Sequence, residues 1–216
     1  MTLQGEAHTG PERWLPLSGA VAVVALVVGI VALGGNTPGS NESTATISAY
    51  YGAHTAREIA AALVVAAAAP FLALFAAALA RSIAPADGSA GVWPGLLRIG
   101  GAVCAAGFLC AAFIHFALAD AADQSHVPAA ALQPLNALDA DSWVLFNSGL
   151  GVLMLGAGAS LLARRAYPVL GWIALLAGIL LFIPFADFFA LLVSGLWIIV
   201  TGVIAFRRGG VLAPRV

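Results

Sequence analysis

Apolar residues run through this chain in six long stretches, with polar residues collected in the gaps between them. The stretches cover about Leu15 to Gly34, Ala56 to Ala80, Pro94 to Ala119, Ser142 to Ala163, Pro168 to Ile183 and Asp187 to Phe206. A membrane span needs about 20 mostly apolar residues. In lipid every backbone polar group must be satisfied within the structure, and a helix does this segment by segment. The pattern predicts an all-α polytopic transmembrane bundle of six helices. The only break in the last apolar block is Ile183 to Asp187, where Pro184 lacks a backbone donor. A tail at 1–14, a transmembrane domain at 15–206 and a tail at 207–216 follow from these limits.

Composition agrees with the pattern. The chain of 216 residues is 62% hydrophobic and 9% charged, where soluble domains carry about 25% charged residues. It has no polar coat to present to water, so the lipid bilayer is its expected surrounding. No nucleic-acid partner is expected.

Charge then sets an orientation. Every basic residue is an arginine, and eight of the nine sit at alternate ends of the spans: Arg13, Arg81, Arg98, Arg164, Arg165, Arg207, Arg208 and Arg215. The gaps on the other side hold Glu42, Glu58, Asp120, Asp123, Asp139, Asp141 and Asp187, with Arg57 as the exception. Short arginine-bearing loops stay cytoplasmic. Both termini are therefore expected in the cytoplasm of a bacterial inner membrane. Five spans would place Arg207 and Arg208 outside, so the rule favours six. The first stretch is expected to be retained. Its apolar run is too long for a signal peptide, and Glu6 and Glu12 precede it; cleavage would leave five spans.

Small residues supply the packing faces. Gly100, Gly101 and Gly107 lie in the third span, and Gly149, Gly151, Gly156 and Gly158 in the fourth. Helices in lipid associate through such close contacts. Pro70 should kink the second span. The run from Ser43 can already be helical and amphipathic ahead of that span, and the 120–141 connection, with Pro128 and Pro134, reads as an irregular cap over the outer end. Thr55 and Glu58 have capping-box spacing, Asp139, Asp141 and Ser142 could cap the fourth span, and Asp187 could cap the sixth. Cys104 and Cys110 fall on different helix faces and cannot bridge.

Several chemistries are excluded. Without lysine there is no retinal Schiff base, pyridoxal linkage or phosphate-loop lysine. No nucleotide-binding soluble domain is present to drive a pump, and no Gly-x-Ser-x-Gly or His-Glu-x-x-His motif occurs. Only His115 lies well inside a span, so two facing haem histidines are not available. No cofactor is expected.

The remaining polar residues gather at the acidic side. His115 is about five residues inside the third span, Asn147 about six inside the fourth, and Asp187 opens the sixth. His54 and Glu58 stand at the mouth of the second at i, i+4, with Arg57 beside them. Asp120 and Asp123 follow His115. Intramembrane polar groups usually face the bundle interior or water. Three arrangements compete. One is an outward-facing pocket for a small solute, proton or cation, with His115, Asn147 and Asp187 as floor and His54, Arg57, Glu58, Asp120 and Asp123 at the rim. Another is a metal site, or a metal-dependent membrane enzyme, drawing on His54, Glu58 and His115. The third is a structural or partner-binding subunit, a homo-oligomer included, whose polar groups only cap helices and bond across the bundle. Intrinsic catalysis is not expected.

The segment Ser43–Ala56 before a span, and Arg164-Arg165-Ala166-Tyr167-Pro168 followed by Val169-Leu170-Gly171-Trp172, resemble uncharacterised six-span bacterial membrane proteins of domain-of-unknown-function families, actinobacterial in type. The resemblance implies a six-helix fold and no established activity. It carries no functional residue across.

Overall fold

The computed structural model describes residues 11–84, 91–210 and 212. Arg215, most of the first tail and half of the last lie outside them. Among the described residues every regular element is helical. A 3-10 turn at Pro11–Leu17 leads into α1 (Ser18–Val27), which continues as a π-helical turn at Val28–Leu33. Then come α2 (Thr44–Ile83), α3 (Val92–Asp123), a short 3-10 turn at Ala129–Ala131, α4 (Leu132–Asp141), α5 (Trp143–Ala163), α6 (Pro168–Leu180) and α7 (Asp187–Arg207). Five stretches are long and apolar enough to cross a membrane; α6, with 13 residues, is a shorter apolar helix. At 1.5 Å per residue it spans about 20 Å, less than the roughly 30 Å hydrocarbon core of a bilayer. It stops where the turn bonds Phe182 N–H to Ile179 and Ile183 N–H to Leu180 precede Pro184.

Successive spans run antiparallel, with α4 leading directly into α5, and glycines set how closely they approach. Along the α3–α5 seam, a Cβ added at Gly100 would overlap the Leu153 backbone, and one at Gly149 the Cys104 backbone. One at Gly107 would stand 2.7 Å from the Leu145 carbonyl, and one at Gly156 2.5 Å from Leu97 N. Only hydrogen fits there, so backbone packs on backbone. Phe75, Leu79, Leu97, Leu153, Met154 and Leu161 fill the core between α2, α3 and α5.

The arginines meet at one end of this bundle. Trp14 packs on Phe206 with ring centroids 4.7 Å apart, under the Arg13 guanidinium at 5.2 Å. Arg208 lies over the Tyr167 ring at 4.9 Å. Arg81 reaches Glu12 at 4.0 Å, and Leu212 N–H donates to the Ser82 carbonyl at 3.2 Å. The start of α1 and the end of α7 therefore share the arginine end, as the alternation of charges requires.

The helix limits differ from the sequence expectation in three places. The second helix takes in the run after Ser43, as that segment's sequence allows, and starts at Thr44, where Ser43 Oγ accepts from Thr46 N–H at 3.2 Å. Thr55 is thus interior and donates its hydroxyl back to the Tyr51 carbonyl at 2.7 Å; the capping-box spacing with Glu58 marks no helix start. The 120–141 connection, expected to be irregular, contains α4, in which Pro134 falls in the first turn and costs no hydrogen bond. Neither Ser142 nor Asp187 caps its helix through a side chain. Asp187 instead occupies the first turn of α7, where a carboxylate meets the positive end of the helix dipole.

Candidate functional site

The end of the bundle opposite the arginines holds a connected polar network. Its centre is Glu58 on α2, which is fully buried. A bare carboxylate there would be unfavourable, and both its oxygens have partners. Oε1 accepts from Arg57 Nη2 at 2.7 Å and Nε at 3.1 Å, and from the Tyr50 hydroxyl at 3.0 Å. Arg57 Nη2 also reaches the Tyr50 hydroxyl at 2.7 Å, and that hydroxyl lies 3.2 Å from the Gly34 carbonyl. Tyr50 and Glu58 stand two helical turns apart on one face of α2, which is why both reach the same guanidinium. Gly35, with φ of 61°, turns the chain after α1 so that Arg57 passes beside it.

The other Glu58 oxygen, Oε2, is 3.1 Å from His115 Nε2 on α3. His115 Nδ1 is 2.9 Å from Asp139 Oδ2 on α4. The imidazole therefore has a carboxylate on each nitrogen. A neutral imidazole offers one donor and one acceptor, so two carboxylate contacts require one more proton. That proton makes His115 an imidazolium or converts one carboxylate to its acid. With it, Arg57 and the shared proton balance the charges of Glu58 and Asp139. Without it, the cluster carries one net negative charge in a buried place.

A cavity of about 240 Å³ opens beside this network. His115, Asp139, Thr37 and Ser142 give it a polar side; Ala61, Val65, Ala111, Phe108 and Phe146 are among its apolar walls. His115 and Asp139 are thus the network members that line this cavity, and Glu58 stands behind them.

The sequence-predicted residues divide into groups. Arg57, Glu58 and His115 come together as described. His54 stacks on Tyr50 at 4.7 Å and pairs Nδ1 with the Tyr50 carbonyl at 2.8 Å, one step removed from the carboxylates. Asp120 accepts from Gln124 Nε2 at 2.6 Å, and Asp123 is exposed at the end of α3. Asn147 and Asp187 form a separate pair, Nδ2 to Oδ2 at 3.4 Å, lining a different cavity of about 150 Å³ with Trp143, Ser148 and Pro184. Asn147 Oδ1 is buried there with no partner. The pocket floor expected from His115, Asn147 and Asp187 therefore splits in two. Along the antiparallel α3–α5 seam Gly149 faces Cys104 and Gly107 faces Leu145, so Asn147 lies level with the 104–107 stretch of α3, about 13 Å deeper than His115, and α5 turns it toward α7.

Sequence reasoning treated Asp139 as a helix cap and did not single out Tyr50. Asp139 is reached only because α4 folds back over α3, and no local spacing announces that. Tyr50 was detectable: it precedes His54 and Glu58 by four and eight residues, a polar stripe at helical period. For the metal alternative, among the described residues no three His, Cys, Asp or Glu side chains group to hold an ion, and both His115 nitrogens already face carboxylates.

Comparison of the chain with protein-family models, curated proteins and solved structures returned no match.

Proposed function

We propose that this chain is a multi-pass inner-membrane protein that binds a small hydrogen-bonding solute in a pocket facing away from the cytoplasm, next to one exchangeable proton. The orientation rests on the gathering of arginines at the end shared by the start of α1 and the end of α7, the side expected to stay cytoplasmic. The binding reading rests on one observation: a fully buried Glu58 is bonded to His115, and His115 to Asp139, at the wall of a cavity. A solute donating to Asp139 or His115 would compete for the contact that holds the shared proton. A neutral solute would thereby shift the shared proton within the network and leave its charge balance unchanged.

The complete pairing of Glu58 favours a second reading, in which the network is a clasp tying α2, α3 and α4. The two readings part in a thermal-shift screen of the purified protein against small alcohols, amines and carboxylic acids. Pocket binding predicts that at least one class raises Tm of the wild type and that Asp139→Asn abolishes the rise while the variant stays folded. If no class moves Tm, or Asp139→Asn leaves the shift intact, the pocket reading fails. A clasp alone predicts a lower Tm in Asp139→Asn and no solute dependence in either protein.

A further inference from the structure

The polar cavity shares a wall with a neighbouring space. Ile30, Phe108 and Phe146 line it and also line a second space of about 280 Å³. That second space is a groove between α1 and α7, floored by Leu72, Phe108 and Leu150, and every residue around it is apolar or glycine. The Phe108 and Phe146 rings stack nearly parallel, with centroids 4.4 Å apart and planes 10° from each other. They form a two-ring partition with the His115–Asp139 wall on one side and hydrocarbon on the other. The groove is open along exposed Val27, Val31, Leu192 and Leu196. Two backbone features shape this groove. Gly195 of α7 faces Val23 with room for a Cβ at 3.6 Å. Ile30 sits in the π-helical turn of α1, a distortion that recurs at functional sites.

We infer that the occupant of these two adjoining spaces is a membrane-dissolved amphiphile with one long apolar chain and an uncharged hydroxyl head. The inference rests on the proposed pocket and names its ligand class. The chain enters from the bilayer between α1 and α7, and the hydroxyl donates to Asp139. The head chemistry follows from the charges. Among the described residues no arginine lines the polar cavity, so a phosphate head has no cation to meet it. Arg57 and the shared proton already balance Glu58 and Asp139, so a cationic head would have to expel a proton. A hydroxyl needs neither.

The test uses the full chain in nanodiscs and a long-chain primary alcohol carrying a diazirine near its chain end. Photolabelled residues are mapped by mass spectrometry. Labels are expected between Leu191 and Leu196, competed by the unlabelled alcohol and not by an anionic phospholipid. Asp139→Asn should lower labelling about tenfold, the loss of one hydrogen bond to a charged group. Gly195→Leu, which fills the groove where a side chain has room, should also abolish it while leaving the fold intact. Labels competed by phospholipid, labels indifferent to Asp139→Asn, or no competable label would each overturn the inference. If labelling fails while a water-soluble solute still gives an Asp139-dependent rise in Tm, only the lipid inference falls. If both fail, the pocket falls with it.

Discussion

Two seams of the bundle are built from similar residues and end up differently. Along α3–α5, glycines occur on both helices and face backbone throughout, from Gly100 and Gly156 near the arginine end to Gly107 near the acidic end. Along α1–α7 the close approach occurs only at the arginine end. There Gly202 faces the Pro16 carbonyl, with a Cβ placed 2.5 Å from it, and Gly19 meets Ile198 and Phe75. Farther along, Gly195 already has space, and beyond it the helices part around the groove. A glycine closes a seam only where its neighbour across the interface can use the room. The α3–α5 seam is a zipper, and the α1–α7 seam is a V hinged at the arginines.

The comparison can be broken most sharply at Gly149. Gly149→Leu drives a side chain into the Cys104 backbone, where nothing can yield without separating α3 from α5. Overpacking costs about 1–3 kcal/mol where side chains can adjust, and backbone cannot. Loss of the monodisperse folded protein in size-exclusion chromatography is the expected result; a folded variant would mean that the seam is softer than its geometry. Next in size is Glu58→Ala, which leaves Arg57 and His115 without their common partner. Breaking a fully buried ion pair costs about 3–5 kcal/mol; the Arg57 side chain is 40% exposed, so a smaller but clear drop in Tm is expected in thermal unfolding, with Glu58→Gln intermediate. A Tm unchanged in both would remove the network from the fold's support.

Asn147→Leu should be smaller. It removes a weak 3.4 Å bond to Asp187 and also an unpartnered buried oxygen. Replacing buried polar groups by apolar ones of similar shape is often close to neutral, so a change within about 1 kcal/mol is expected. A severe loss would show that a bound partner satisfies Asn147 Oδ1. Smallest is Gly195→Ala, with room for the added methyl; a surface-type change within about 0.5 kcal/mol is expected. If Gly195→Ala proves as damaging as Gly149→Leu, the two seams are alike and the V is not real.

The sequence carried the number and order of the apolar helices because both are written in runs of like residues. It carried the sorting of the arginines for the same reason. Helix limits were less legible. A polar face on α2, with Tyr50, His54 and Glu58, resembles a helix entrance when the partners that it meets are unknown. Whether polar residues converge depended on register and azimuth. Counted from the loops, His115 and Asn147 looked level, yet the α3–α5 glycine contacts set Asn147 beside the 104–107 stretch, where it meets Asp187, and leave Asp139, from a helix not expected, to complete the network beside His115. Both the register and the facing of helices depend on how they pack, which no count along one chain supplies.

The length of α2 has an electrical consequence. Its 40 residues extend for about 60 Å, twice the roughly 30 Å of hydrocarbon that it must cross. With Ile83 anchored beside the arginines, Glu58 stands about 37 Å along the helix axis, past the far edge of that layer. Most of a membrane voltage falls across the hydrocarbon, where one charge moved through 100 mV changes energy by about 2.3 kcal/mol. A proton gained or lost at His115 would therefore cross almost none of that field, and its occupancy should follow the local pH of one compartment rather than the membrane potential.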